Sequence, residues 1–585
     1  MDLHFTKGSR ARTLAIIVTA VMAVFVVRLF YIQIIRHNDY VVQADSEHIK
    51  QFTLHAKRGA IYAMDGDKPS ERPIVMNETV YTVWADPTVV TEKDKVVTAL
   101  NKIAGGNVRK DFAKYLDVEK SRYQVLATKV SRTQAELLKK EKLAGIGFDA
   151  VSQRVYPEGQ LASQVLGFVN NEGKGVYGFE QANDIDLKGR DGLLKTVTDV
   201  RSVPLTVTDK NIRTPAQDGK NMVMTIDRNI QARTEQALAE GVERSGADHA
   251  SAIVMDPRTG KVLAMANVPT YDPSKLNEVQ DVAALNNDTI SRPYEVGSVA
   301  KTFTVGMGIE RGVIAPDSTY NNTDKITIDD KVIGNASQGH TGTITIQTAL
   351  NWSLNTGMVT IAERLGGNSG HITRQSRDIM YDYLYNKFRL GQRTGIELAN
   401  EQLGTIVSPD DVQGNAVRYG TMSFGQGMDT TMVQAATGFS SLINGGTYIK
   451  PTVINGTMDG SGNFHAAPAK DSYPGIVSAN TSRTMRQMIH EAHYATYNPH
   501  DGSDKFYIGG KTGTSQTIIN GKYVNSQTIG SYLGFGGDSI DNPQYVIMIE
   551  ISAKDKSMGG GADAKPIFNA ISNWMINYYS LTPKG

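Results

Sequence analysis

Ser298-Val299-Ala300-Lys301 is the one place in the 585-residue chain where a lysine follows a serine at the third position. On a helix those two side chains face the same way. A serine hydroxyl is a weak nucleophile until a base takes its proton, and a partly desolvated lysine with a lowered pKa can be that base. The preceding Pro293-Tyr294-Glu295-Val296-Gly297 reads as a turn, which places Ser298 on a first helical turn, where free N–H groups and the helix dipole favour an oxyanion. In Ser353-Leu354-Asn355 the two polar side chains stand at i and i+2, so only a turn can aim both at one site. There Ser353 can relay a proton and Asn355 can offer an amide to a peptide. Lys511-Thr512-Gly513-Thr514 reads as the start of a strand, with Lys511 and Gly513 on one face, Thr512 and Thr514 on the other, and Gly513 allowing close approach. An edge strand there can bind an extended peptide by strand addition, with the lysine charge and threonine hydroxyls for a terminal carboxylate.

Taken singly, each motif also fits a surface Ser–Lys pair, a loop or an ordinary strand start. The apolar neighbours Val299, Phe303, Val305, Met307 and Ile309 argue that the Ser298 helix is buried, so that Lys301 needs partners. Gly306 and Gly308 each cost about 1 kcal/mol inside a helix, which points to another element packed closely on it.

The positioning elements are legible at both ends of the catalytic half. Met222 to Ile226 reads as a strand, and Asp227 caps a helix running through Glu243. Ala252 to Met255 and Val262 to Ala266 form two antiparallel strands around Asp256-Pro257-Arg258-Thr259-Gly260. Asn520-Gly521 is a hairpin signal between Thr514 to Ile519 and Lys522 to Val524. Tyr545 to Ile551 is an apolar strand, and Lys565 to Tyr579 a closing helix. Helical patterns dominate from 290 to 505, so strands from both ends share one sheet with a mostly helical part inserted between them. Residues 37 to 215 are polar and short-period, with modest strands and one helical stretch, Thr133 to Leu143. Met458 to Gly475 reads as an exposed loop. His490-Glu491-Ala492-His493 is a near miss to a zinc motif, with its histidines three apart rather than four, and reads as a helix surface.

Near the start, Thr13 to Val27 runs without charge, and after Arg28 the apolar run resumes from Leu29 to Ile35. As one helix, residues 13 to 35 span about 35 Å, enough for a hydrocarbon core of about 30 Å. Arg28 can snorkel near one end, and Tyr31 suits the headgroup boundary. Lys7, Arg10 and Arg12 before the span predict a cytoplasmic N-terminus, with everything after residue 36 outside. A cleaved signal peptide is the plainer rival, but no small-residue cleavage site follows. Lys and Arg number 61 against 60 Asp and Glu, which leaves no electrostatic footprint for nucleic acid. The absence of cysteine removes disulfides, thiolate metal sites and a thiol nucleophile. No metal or cofactor is expected.

With Ser-x-x-Lys, Ser-x-Asn and Lys-Thr-Gly in that order, the chain resembles the class B, monofunctional penicillin-binding proteins along essentially its whole length. Similar stretches are Arg58-Gly59-Ala60-Ile61, Arg154-Val155-Tyr156-Pro157-Glu158-Gly159, Gly178-Phe179-Glu180 and Gly425-Gln426-Gly427. The resemblance implies an α+β multidomain fold. Its parts would be a cytoplasmic tail (1–12), a transmembrane helix (13–35), an elongated mostly-β pedestal of dimerisation type (36–217) and a serine β-lactamase-like transpeptidase domain (218–585). It implies a D,D-transpeptidase that cross-links peptidoglycan stem peptides on strands derived from lipid II and binds β-lactams covalently. By it Ser298 attacks the D-Ala-D-Ala bond with Lys301 as base, Ser353 relays a proton to the leaving D-Ala, and Asn355 holds the acyl-side amide. Lys511 and Thr512 support the site, Gly513 belongs to the same strand motif, and the N–H groups of Ser298 and Thr514 form the oxyanion hole. Val296 stands where the family usually has proline. Compact size, no tail beyond the catalytic half and no long pedestal insertion favour the septal type, with a multi-span SEDS glycosyltransferase and other division proteins as partners at the plasma membrane. The alternatives are an elongation-type transpeptidase, a serine β-lactamase, and a non-catalytic penicillin sensor or scaffold. A β-lactamase needs neither anchor nor pedestal.

Overall fold

The computed structural model describes residues 10–40, 49–118, 120–197, 212–367, 370–495, 503–519 and 522–584. The chain divides into two bodies, Met1–Lys57 with Gly189–Gly219, and Arg58–Lys188 with Lys220–Gly585.

In the first body, α1 (Arg10–Phe30) is continued by a turn of π-helix, Tyr31–Ile35. It is the one described helix long and apolar enough to cross a membrane by length and composition. The Arg28 and Arg36 guanidinium groups lie 5.6 and 5.9 Å from the Tyr31 ring centre, within cation–π range. The same body holds a three-stranded antiparallel sheet with Gly192–Val197 in the middle, Ile49–Leu54 on one side and Ile212–Thr214 on the other. Lys7 lies outside the described residues.

The second body joins most of the expected pedestal to the catalytic half, for a reason of strand pairing. Asn221–Asp227 pairs in parallel with Ile61–Asp65 and antiparallel with Ile454–Met458, so the first catalytic strand is also the centre of a sheet containing pedestal residues. A separate three-stranded sheet, with Met76–Ala85 between Gln124–Val130 and Ile146–Val155, packs Val83 and Leu126 against Leu100 and Leu138. The pedestal is more mixed than its turn signals indicate: Lys93–Ile103 is a helix, and Arg132–Lys140 begins with a capping box between Ser131 and Gln134. The two oxygens of the wholly buried Glu180 take Arg58 and Arg154, and Asp184 pairs with Arg58. These few charges are therefore paired, as burial requires.

The catalytic sheet has five antiparallel strands: β1 (His249–Met255), β2 (Val262–Val268), β3 (Tyr507–Ile519), β4 (Lys522–Ser539) and β5 (Asn542–Ser552), in the order β2-β1-β5-β4-β3. Strands from both ends of the catalytic half do share one sheet. The Asn520-Gly521 turn lies outside the described residues, but Ile519 pairs with Lys522 on either side of it. One face of the sheet carries α2 (Arg228–Ser245) and α7 (Lys565–Tyr578), where Tyr532, Ile547, Ile549 and Phe568 form one core. The other face packs on α3 (Lys301–Glu310), α4 (Asn355–Leu365), α5 (Met432–Ile443) and α6 (Ala479–Ala495). A Cβ on Gly306 would lie 2.6 Å from Leu442 of α5, and one on Gly308 2.8 Å from Ile361 of α4. The two glycines mark helix crossings, as their cost in a helix implies.

The inserted part is mostly helical and also carries two small hairpins, in which Thr319–Asn322 pairs with Gly342–Thr345 and Lys325–Ile328 with Lys331–Gly334. Two expectations need correction. The Met458 to Gly475 segment contains two short exposed strands, Phe464–Ala466 and Ser472–Pro474. The His490 to His493 stretch is not a helix surface. His493 is buried beside the Tyr532 hydroxyl, and His490 Nδ1 lies 2.6 Å from the Ile508 carbonyl, so both rings serve packing between α6 and the sheet.

Asp227 caps α2 by accepting the Asn229 and Ile230 N–H groups at 2.9 and 3.0 Å, while its other oxygen accepts Gly66 N–H and the Tyr578 hydroxyl, both at 2.9 Å. One buried carboxylate therefore joins a pedestal turn, α2 and α7. Asp227→Ala should lower unfolding free energy by about 2–3 kcal/mol, beyond the roughly 1 kcal/mol of an ordinary cap, in urea or thermal melts.

Candidate active site

Ser298 is carried across the catalytic sheet on a strap that touches the strands one after another. Asn267, Ser251, Glu550, Ser531 and Gly513 stand opposite one another in register across β2, β1, β5, β4 and β3. Directly paired residues share a face, so these five make one line of small or polar side chains. The strap from Asn287 to Ser298 follows it. Asn267 Nδ2 donates to Asn287 Oδ1 at 3.2 Å, Arg292 Nη1 lies 3.8 Å from Glu550 Oε1, and the Tyr294 and Ser531 hydroxyls are 3.0 Å apart. Burial raises the Glu550 carboxyl above its ordinary pKa, and Arg292 opposes that rise. At the end of the line, a Cβ on Gly513 would lie 2.4 Å from the Val296 carbonyl oxygen.

Gly297 has φ +58°, and a Cβ on it would lie 2.5 Å from the Thr514 carbonyl oxygen, so only glycine fits between the strap and β3. Its N–H donates to the Gly425 carbonyl at 3.2 Å, and Gly425 (φ +91°) approaches too closely for any side chain. Ser298 then sits in a single 3-10 turn, Gly297–Ala300, that feeds directly into α3. The sequence places it on the first α-helical turn; the tight glycine turn winds that stretch as 3-10 instead. In this winding side chains three apart eclipse, which keeps Ser298 and Lys301 on one side.

Lys301 is wholly buried at the start of α3. Its Nζ donates to the Ser353 carbonyl and, at 3.1 Å, to Ser353 Oγ. Lys511 Nζ reaches the same Ser353 Oγ at 2.9 Å, and also Thr512 O at 3.0 Å and Thr512 Oγ1 at 3.2 Å. Ser353 is thus the hub of two lysines. It can be so because its backbone is left-handed, φ +58°, in the turn between Ile346–Asn351 and α4. Burial drives the Lys301 pKa well below the ordinary lysine range, and the neighbouring Lys511 lowers it further. Lys511 falls to about 7, again by burial first and then by Lys565.

Asn355 opens α4, and its Nδ2 donates to the Gly334 carbonyl at 2.8 Å. Behind it, Asn335 Oδ1 accepts the Thr356 N–H at 3.0 Å and Asn335 Nδ2 donates to Asn322 and Asp324, both at 3.1 Å. These polar contacts fasten the two small hairpins to the Ser353–Asn355 turn, and nothing in the spacing of the motifs announces them. On β3, the edge strand, Lys511 and Gly513 are buried while Thr512 is half-buried and Thr514 exposed, the alternation expected of that strand. Gly560 N–H donates to Thr514 Oγ1 at 3.3 Å. The structure brings Lys301, Ser353 and Lys511 into direct contact. Asn355 adjoins that cluster at the start of α4 and Ser298 lies one 3-10 turn before Lys301, and Ser298 makes no side-chain hydrogen bond among the described residues. No group of three or more metal-ligating side chains is found among the described residues.

Comparison with known proteins agrees with this architecture. Residues 250–573 match the penicillin binding protein transpeptidase domain, and residues 53–224 the penicillin-binding protein dimerisation domain. The chain is 30% identical over 445 residues to penicillin-binding protein PbpB of Mycobacterium tuberculosis, an alignment covering 74% of this chain and 63% of that protein. It is 26% identical to the peptidoglycan D,D-transpeptidase FtsI of Escherichia coli, covering 95% and 89% of the two chains, and 26% identical to stage V sporulation protein D of Bacillus subtilis, covering 98% and 87%. Among solved structures, penicillin binding protein 3 of Mycobacterium tuberculosis complexed with aztreonam superposes with a TM-score of 0.66 at 25% identity, over 91% of this chain and 98% of that one. Penicillin binding protein 2X of Streptococcus thermophilus shares the fold, with a TM-score of 0.73 at 23% identity over 91% and 80%. The chain belongs to the penicillin-binding protein transpeptidase family. A dimerisation domain ahead of the catalytic domain makes it a class B member, a serine-type transpeptidase.

A lysine whose burial favours the neutral form can accept the Ser298 proton near neutral pH. The rate at which penicillin acylates the protein should therefore rise with pH and level off below the ordinary lysine pKa of about 10.4. Lys301→Met should lower it by about 10²–10⁴-fold. The sign for stability follows from Lys511. Between pH about 7 and about 10.4 the unfolded chain holds a proton that the folded chain has released, so this lysine makes stability rise with pH. Thermal melts of Lys511→Met should show a flatter pH dependence than wild type across that window.

Proposed function

We propose that the protein cross-links peptidoglycan stem peptides through a serine acyl-enzyme. The observation that supports this best is the pair of buried lysines meeting on Ser353 Oγ beside the Ser298 turn. Ser298 Oγ attacks the carbonyl carbon of the penultimate D-Ala as its proton passes to neutral Lys301. The N–H groups of Ser298 and Thr514 hold the oxyanion. Collapse breaks the peptide bond and expels the terminal D-Ala, whose amine takes a proton through Ser353. The amine of a second stem peptide then attacks the ester, forming the new amide and returning the hydroxyl to Ser298. Asn355 steadies the acyl-side amide, and Lys511, Thr512 and Gly513 align the donor peptide along the edge of β3. β-Lactams acylate Ser298 by the same attack.

The same reading assigns residues 1–12 to the cytoplasm, 13–35 to the plasma membrane, 36–217 to a non-catalytic pedestal and 218–585 to the extracytoplasmic transpeptidase domain. It places the protein in septal wall synthesis with a SEDS-type glycosyltransferase and other division proteins.

Purified full-length protein with lipid II and a SEDS glycosyltransferase should yield dimeric muropeptides, and Ser298→Ala should yield none and take no fluorescent penicillin. Rapid turnover of the drug would instead indicate a β-lactamase. A fluorescent fusion should concentrate at midcell; a signal along the lateral wall with none at midcell would overturn the septal assignment.

A further inference from the structure

The root of the strap that carries Ser298 borders a cleft of about 510 Å³, lined by Tyr177 and Gln181 from the pedestal and Asn286, Ser291, Asn400 and Gln402 from the catalytic half. We propose that this cleft binds the glycan backbone of the peptidoglycan strand, a role that rests on the transpeptidase reading above. The chemistry of the lining decides the ligand class. None of these side chains carries a formal charge at neutral pH, so a phosphate or a carboxylate has no cation to meet. Amides and hydroxyls instead offer paired donors and acceptors, which match the hydroxyl and N-acetyl groups of an amino sugar, and Tyr177 adds an aromatic face.

The groups are also available. Among the described residues the Asn286 and Asn400 amides and the Ser291 hydroxyl make no side-chain hydrogen bond to the protein, whereas Gln181 Oε1 is held by the Tyr177 N–H at 2.7 Å and Gln402 Nε2 by the Asn400 carbonyl at 3.3 Å. The cleft is built at a conformational cost. Tyr177 has φ +61° and ψ 167°, a region that glycine alone adopts freely, and Asn400 has φ +71°. Two such residues on one small cleft point to a site whose shape is imposed by the surrounding fold. Both sides are tied together around it, with Ala399 N–H donating to the Gly178 carbonyl at 3.1 Å and Gln402 N–H to the Ile290 carbonyl at 3.0 Å. Ser291 stands seven positions before Ser298 on the strap. The cleft lies at the β2–β1 end of the strap, near Asn267 and Asn287, and the nucleophile at the β3 end. Four strand spacings separate those edges, about 19 Å, and a five-residue stem peptide extends to about 17 Å. A glycan held at one end is therefore on the scale needed to present its peptide at the other.

The test titrates full-length protein in detergent with a peptide-free glycan oligomer, prepared by removing stem peptides from peptidoglycan with an amidase, and follows binding calorimetrically. Wild type and Ser298→Ala should bind alike, and an Asn286→Ala/Ser291→Ala double variant with an unchanged thermal midpoint should bind about tenfold more weakly or worse. Should that variant unfold, Asn400→Ala serves the same comparison. Equal binding by the folded variants, or no binding by a wild-type protein that still takes penicillin at Ser298, overturns the inference. A wild-type protein that takes no penicillin overturns the transpeptidase reading instead.

Discussion

Two lysines buried around one serine hydroxyl set the terms for the rest of this active site. Lys301 and Lys511 both reach Ser353 Oγ, at 3.1 and 2.9 Å, with almost no solvent contact. Two ammonium groups that close in a dry environment repel each other strongly, and neither keeps the hydration that normally holds a lysine protonated. The arrangement is tolerable only if protons leave the pair well below the ordinary lysine range. That is the property a serine nucleophile needs from its base. The stability lost by burying such groups is offset elsewhere in the domain, by an apolar core that surrounds α3 on several sides.

Holding that pair in place is a task for backbone as much as for side chains. Ser353 offers both its carbonyl and its hydroxyl because its turn is left-handed, and the turn is fixed by the contacts of Asn355 and Thr356 with Gly334 and Asn335. Ser298 is fixed by a strap that crosses five strands along a line of small and polar residues and ends where Gly297, Gly425 and Gly513 let three segments meet. The Ser298–Lys301 segment, the Ser353 turn and Lys511 come from widely separated parts of the chain. The Ser298 segment and Lys511 meet through main-chain approach that a single methyl group on Gly297 or Gly513 would prevent.

Much of this was legible in the sequence because its signals are local. Ser298 and Lys301 three apart, the Asp227 cap, the strands around Pro257 and the alternation from Lys511 to Thr514 all follow from periodicity and turn chemistry. The small hairpins between Thr319 and Thr345 escaped because four-residue strands rich in Thr, Asn and Lys have no strong period, and their pairing depends on what they pack against. His493 looked exposed because burial of a polar ring depends on a distant partner, here Tyr532. Glu550 interrupts the apolar run from Tyr545 to Ile551, but one carboxylate does not reveal a line across the sheet. Only the pairing of five strands shows that Ser251, Asn267 and Ser531 lie beside it.

Burial leaves the lysine pair short of protons at neutral pH. Lysine side-chain NMR on the full-length protein, with Lys301→Met and Lys511→Met to assign the signals, measures this directly. Lys301 and Lys511 should both titrate far below the ordinary lysine pKa of about 10.4, with Lys511 at about 7. Two lysines titrating together near that ordinary value would contradict it.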